Sequence, residues 1–186
     1  MVQTSKQTVL INLFAQPGAG KSVLMMDLAA RMKKENISVE MSPEYVKKMA
    51  YEGKAPDSID QMYIFGKEAQ HQKALMGKVD YIISDAPVLL VAWYYYKVSG
   101  SQSLFPVAKE FEEIAKEKHN TQFVNFFLPR KTLYDPNGRF QTEQESDIIA
   151  AEIKKMLKER KIEYNFLDCP ADNRVAEIMK ILLNQR

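Results

Sequence analysis

Residues Phe14-Ala15-Gln16-Pro17-Gly18-Ala19-Gly20-Lys21-Ser22, with Val23 after them, have the types and order needed to hold a polyphosphate. Closely spaced glycines let backbone amides approach phosphate oxygens, and a helix starting there adds the positive end of its dipole. Lys21 would reach the β- and γ-phosphates, and the Ser22 hydroxyl would bind Mg2+. The pattern G-x-x-x-x-G-K-[ST] is kept except at its first glycine, where Ala15 stands. The surroundings agree with a P-loop. Residues 9–14 form an apolar run suited to a buried parallel strand, and Leu24, Leu28 and Met32 then recur on one helical stripe with Arg31, Lys33 and Lys34 off it. Residues 16–23 are therefore expected to bind ATP or GTP.

Other residues gain meaning from their distance to such a loop. Asp85 follows the apolar Tyr81-Ile82-Ile83, where a carboxylate can hold Mg2+ beside the Ser22 hydroxyl. The same Asp, two residues before Pro87, also reads as the N-cap of a helix. Glu44 comes after a second strand, at the point facing a γ-phosphate and an acceptor hydroxyl, where a base or an anchor is needed. An acidic residue in the first turn of a helix, after Ser42-Pro43, is the other reading. Arg130 and Arg139 bracket a turn-rich segment, 129–140, containing Asp135-Pro136-Asn137-Gly138. They suit a lid that clamps phosphates bidentately, or an ordinary solvated loop. Gln70 and Tyr45 are candidates for the acceptor side, Gln70 because a carboxamide pairs with a base edge through donor and acceptor together. An exposed helix face suits Gln70 equally. Trp93-Tyr94-Tyr95-Tyr96 could stack a ring or belong to the core. His71 and His119 are too far apart in the pattern to form a ligand pair.

The elements that must position these groups alternate in period. Strand-like runs occur at 9–14, 37–41, 79–84, 121–128 and 162–167. Helical patterns carry Met62, Phe65, Ala69 and Met76, then Val107, Phe111, Ile114 and Ala115, then Ile149, Ile153, Met156 and Leu157, then Val175, Ile178, Met179 and Leu182. Residues 88–98 are apolar and aromatic, and fit either helix or extended chain. Strands alternating with helices indicate an α/β fold, a five-stranded parallel sheet covered on both faces, in one domain of 186 residues. Ligands in such sheets bind beyond the carboxyl ends of the strands, where the P-loop, Glu44, Asp85 and the segment with Arg130 and Arg139 fall. Twenty-six Lys and Arg against 24 Asp and Glu leave a formal charge of +2, which does not mark a nucleic-acid binder. A single cysteine, Cys169, excludes an intrachain disulfide framework. With no leader pattern and no run of about 18 apolar residues, a soluble cytoplasmic protein without a membrane partner is expected.

With these residues assembled, the sequence resembles the NadR-like AAA domains, P-loop kinases related to the ribosylnicotinamide kinase part of NadR, a group with many phage-encoded relatives. The similar landmarks are Gln16 to Ser22, Pro43-Glu44-Tyr45-Val46, the helix from Gln61 to Gln70, Ser84-Asp85-Ala86-Pro87, Tyr134-Asp135-x-x-Gly138-Arg139 and Asn173-Arg174. They span nearly the whole chain, and the P-loop is the specific one. The resemblance implies a nucleoside- or nucleotide-kinase-like P-loop fold and Mg2+-dependent phosphoryl transfer from ATP to a hydroxyl of a nucleoside-like small molecule. It also implies active-site roles for Glu44, Asp85, Arg130 and Arg139. The adenylyltransferase and DNA-binding parts of full-length NadR have no counterpart here, so neither activity carries over. Two further readings stand beside the small-molecule kinase. One is a kinase of hydroxymethylated bases in DNA, disfavoured by the balanced charge. The other is a nucleotide-dependent ATPase or switch acting on a partner.

Overall fold

A computed structural model of the chain describes residues 6–131, 133–137 and 140–183, apart from the side chains of Lys47, Lys48 and Ala50. Its elements run β1 (Thr8–Phe14), α1 (Lys21–Lys34), β2 (Val39–Ser42), α2 (Val46–Tyr51), α3 (Ser58–Leu75), β3 (Tyr81–Ser84), α4 (Val88–Ser99), α5 (Leu104–His119), β4 (Thr121–Phe127), α6 (Glu143–Glu159), β5 (Asn165–Phe166), a 3-10 turn (Ala171–Asn173) and α7 (Arg174–Leu183). The strands form one parallel sheet in the order β2-β3-β1-β4-β5. Central β1 aligns Val9 with Tyr81 of β3 and Thr8 with Thr121 of β4, so the ends of β1 and β3 emerge side by side. That adjacency brings the P-loop next to Asp85.

Why β1 is central follows from its residues. Leu10, Ile11 and Leu13 are fully buried, each supplying about 1.5–3 kcal/mol of apolar burial. A strand covered on both faces needs such a continuous apolar run. Ile11 and Leu13 pack with Leu24, Leu28 and Met32 of α1 and Ile178 and Leu182 of α7. Phe14 packs with Ile64 of α3, the apolar turns of α4, and Ile153 and Leu157 of α6. Helices thus cover both faces, as expected. Among the described residues no helix is long and apolar enough to cross a membrane.

Three strands start later than their apolar patterns suggest: β3 begins at Tyr81 instead of Val79, and the other two are delayed for one shared reason. After α1, Asn36 takes a left-handed conformation (φ 57°) and the Ile37 amide donates back to the Met32 carbonyl at 3.0 Å. After α6, Lys161 (φ 56°) does the same, and the Ile162 amide donates to Leu157 at 2.9 Å. Ile37 and Ile162 are therefore the apolar residues of helix-terminating turns, not strand residues. The strands themselves begin at Val39 and Asn165.

Residues 88–98 resolve as helix, with Val88 to Trp93 and Tyr95 buried in α4. The expected stripes on two helices need correction. In α5, Val107 and Ile114 are exposed while Phe105, Ala108 and Ala115 face the core. In α3, Met62 is exposed and the buried stripe is Gln61, Ile64, Phe65, Glu68 and Gln72.

Candidate active site

The loop after β1 turns through Gly18 (φ 82°) and Gly20 (φ 87°). Gly20 is the N-cap of α1 and offers no side-chain cap, so amides of the first turn remain open to a ligand. A Cβ on Gly20 would meet nothing within 4 Å. The left-handed backbone, not crowding, is what asks for glycine there. Lys21 Nζ donates to the Ala15 carbonyl at 3.3 Å, laying the ammonium across the loop. The residue that replaces the motif's first glycine meets the ammonium through its main chain, so its methyl group is no obstacle. Two later elements brace the loop: Ser146 Oγ of α6 donates to the Pro17 carbonyl at 2.7 Å, and Arg174 Nη1 of α7 donates to the Ala19 carbonyl at 3.2 Å. Arg174 Nη2 also donates to the Pro129 carbonyl.

Asp85, buried at the end of β3, joins the P-loop to the end of β2. Its Oδ2 accepts the Ser22 hydroxyl at 2.8 Å, and its Oδ1 accepts the Glu44 amide at 2.7 Å. The cap position of α4 belongs to Pro87, without a side-chain bond, so Asp85 is not an N-cap. A serine hydroxyl that donates to Asp85 keeps its lone pairs for a cation. Among the described residues no group of three or more His, Cys, Asp or Glu gathers into a metal cluster. One hydroxyl and one carboxylate fit Mg2+, which takes its remaining oxygens from phosphate and water.

Glu44 precedes α2 instead of occupying its first turn. It borders a cavity of about 390 Å³ lined by Pro17 to Val23 of the phosphate loop and by Val46, Tyr51, Ala55, Pro56, Ile64, Val91 and Val98. Gln61, Ala86 and Tyr94 also line it, together with Asp135, Asn137 and Phe140 from the 129–140 region and Gln141 just after it. Burial, with the Glu44 charge, pushes the Tyr94 phenol up from its ordinary range. Glu68 of α3 lies behind Glu44, 1% exposed, and its Oε1 accepts the Tyr45 amide at 2.8 Å. Burial first, then the nearby Glu44 and Asp85 charges, push its carboxyl up to about 8, against the lowering effect of the Tyr45 amide.

Several sequence-derived candidates lie elsewhere. Gln16 is buried behind the loop; its carbonyl receives the Ala19 amide, and its side chain is not part of the cavity wall. Tyr45 and Gln70 border a second cavity of about 540 Å³ with Pro43, Lys67, Glu68, His71 and Ala74, and Glu44 is common to both. Gln70 misses the first cavity because it lies nine residues, about 180° of helix, beyond Gln61, which lines it. Gln61 holds the equivalent place on the inner face. Arg130 pairs with Glu143 at 2.9 Å and Asp147 at 2.6 Å on α6 and covers the Tyr134 ring. Gly138 and Arg139 lie outside the described residues. In the aromatic run, Trp93 and Tyr95 are core, Tyr96 is exposed, and Tyr94 alone of the four faces the cavity.

A family model described as an AAA domain matches residues 11–174. Comparison with curated protein sequences returns no match. Among solved structures, a NadR protein in complex with NR superposes with TM-score 0.63 at 14% identity, covering 95% of this chain and 51% of that one. The present chain thus spans about half of that NadR chain. Deoxyadenosine kinase from M. mycoides gives TM-score 0.57 at 15% identity, covering 94% and 99% of the two chains. The APS kinase of Mycobacterium tuberculosis, in complex with AMPPNP and APS, gives 0.56 at 11% identity over 96% and 99%. At these identities the likeness is one of fold, the P-loop kinase fold with its five-stranded parallel sheet.

Proposed function

The chain belongs to this AAA-domain family, and from that premise we propose that it transfers the γ-phosphate of ATP to a hydroxyl of a nucleoside- or nucleotide-like small molecule. One observation carries the reading. Glu44 borders a single cavity that the P-loop and apolar side chains line together, and its amide is tied to the same Asp85 that accepts the Ser22 hydroxyl. A kinase needs such a cavity, with phosphate donors, an apolar surface for a ring and a carboxylate in one space.

In this proposal the β- and γ-phosphates lie on the loop amides and Lys21. Ser22 and Asp85 would hold Mg2+, which when bound would supply positive charge beside the phosphate oxygens. The acceptor ring packs among Val46, Tyr51, Ile64, Val91 and Phe140, while Gln61 and Tyr94 supply its polar contacts. As the acceptor oxygen bonds to the γ-phosphorus, Glu44 takes the hydroxyl proton and the bond to the ADP oxygen breaks. The 129–140 segment closes the cavity against water. Arg139, and Arg130 once released from Glu143 and Asp147, then meet the transferring phosphate.

The deciding experiment offers γ-labelled ATP and Mg2+ with nucleosides, nucleotides, nicotinamide riboside and hydroxymethylated DNA. Label is expected on a small molecule, and Glu44→Gln is expected to lower that transfer by about 10²–10⁴-fold, the usual range for a general base. Label on DNA would replace the small-molecule acceptor, and release only as inorganic phosphate would indicate an ATPase or switch.

A further inference from the structure

Glu68 is a buried carboxyl that the mechanism above does not use. From α3 its Oε1 accepts the Tyr45 amide at 2.8 Å. The preceding amide, that of Glu44, goes to Asp85 Oδ1 at 2.7 Å. Two carboxyl groups from different elements thus grip successive amides of the segment that carries Glu44. Glu68 Oε2 has no partner among the described residues. For stability alone this arrangement is costly: Tyr45 is 38% exposed, so water could reach its surroundings, whereas burying an acid with an unpaired oxygen is unfavourable. What the grip does provide is orientation, because two fixed amides leave the Glu44 backbone little freedom to turn.

We propose that Glu68 is a positioning residue for phosphoryl transfer, holding the Glu44–Tyr45 backbone so that the Glu44 carboxylate stays aimed at the acceptor hydroxyl. The proposal rests on the reading of Glu44 as the base. A carboxyl pushed up to about 8 is protonated at neutral pH and places no second charge beside Glu44. Lys67 and His71 border the same cavity, but the causes of the shift are burial and the Glu44 and Asp85 charges. Glutamine therefore imitates the neutral acid, its carbonyl accepting the Tyr45 amide. Methionine fills similar volume without that acceptor.

The test measures label transfer from γ-labelled ATP to a pooled set of nucleosides including nicotinamide riboside, with MgATP affinity by calorimetry and thermal midpoint alongside. Glu68→Gln is expected to keep turnover within about threefold of wild type. Glu68→Met is expected to lose about 10–100-fold in turnover, as a displaced catalytic group does, with MgATP affinity unchanged and a midpoint no lower than that of wild type. In a Glu44→Gln background the same Glu68→Met change should cost little more, since both act through one carboxylate. Wild-type turnover in Glu68→Met beside a crippled Glu44→Gln would overturn the positioning role alone. An equal loss in both backgrounds would overturn it too, by showing that Glu68 acts independently. Normal turnover in Glu44→Gln would overturn the base reading and this proposal with it.

Discussion

Arg174 and Ala19, 155 positions apart in sequence, are joined by a hydrogen bond of 3.2 Å between a buried guanidinium and a P-loop carbonyl. The same guanidinium holds the Pro129 carbonyl at the end of the strand-four region. One side chain therefore sets the spacing between the phosphate loop and the start of the 129–140 segment. Arg174→Met should leave both carbonyls without this donor, at about 1–3 kcal/mol for each buried group left unpaired. The expected outcome is a thermal midpoint lower by several degrees and weaker MgATP binding, read by calorimetry. An unchanged midpoint would show that water replaces the guanidinium.

Lys21→Ala should separate binding from folding. Its one hydrogen bond in the described structure is the 3.3 Å contact to Ala15, and its side chain is only partly buried. A stability change within about 0.5 kcal/mol is expected, as for surface positions, with loss of measurable MgATP binding. Retained ATP affinity in this variant would remove the loop from the mechanism.

Asp85→Asn should act on the cation. Asparagine can still accept the Glu44 amide through its oxygen, and the Ser22 hydroxyl can rotate to accept from the new NH2. The local hydrogen bonds survive while the charge is lost. The Mg2+ concentration for half-maximal transfer should rise by about 10–100-fold, with little change in unfolding midpoint.

Glu68 gives the fold a pH signature. A carboxyl raised from 4.5 to about 8 keeps its proton in the native state where the unfolded chain has lost it. Stability from this group is full below pH 4.5, falls as pH rises through that window and is gone above about 8. Urea unfolding at pH 5, 6, 7 and 8 should show wild type losing ground to Glu68→Gln by a few kcal/mol at most. Parallel curves would mean that Glu68 ionises in the folded protein without cost.

The strand ends were legible because apolar runs followed by Gly-Lys-Ser or Asp have few competing explanations. The five-stranded sheet and the adjacency of Ser22 and Asp85 follow from those runs. Helix α3 was legible as a helix, and Phe65 was rightly placed on its core side, but the polar part of its inner stripe was not legible. Its inner stripe includes Gln61, Glu68 and Gln72, so hydrophobic periodicity marked the exposed Met62 and left the cavity-facing Gln61 unnoticed. A polar stripe can be buried only where partners exist, such as the Ser84 hydroxyl that receives Gln72 at 3.1 Å, and partners belong to tertiary structure. Tyr94 was hidden for the opposite reason, as one of four adjacent aromatics whose faces only the packing of α4 distinguishes.

The 129–140 segment is tied down at both ends: Pro129 by Arg174, and the start of α6 by the reciprocal Thr142–Glu145 cap and the Ser146 bond to Pro17. Between these fixed posts chain length is thermodynamically permissive, since doubling a loop costs only about 0.6 kcal/mol in closure entropy. The stretch that supplies Asp135, Asn137 and Phe140 to the cavity wall can thus be lengthened, shortened or exchanged while the phosphate loop keeps its shape. Evolution, or an engineer, can redraw the far wall of the chamber and so change what it admits, without disturbing the machinery that holds the nucleotide.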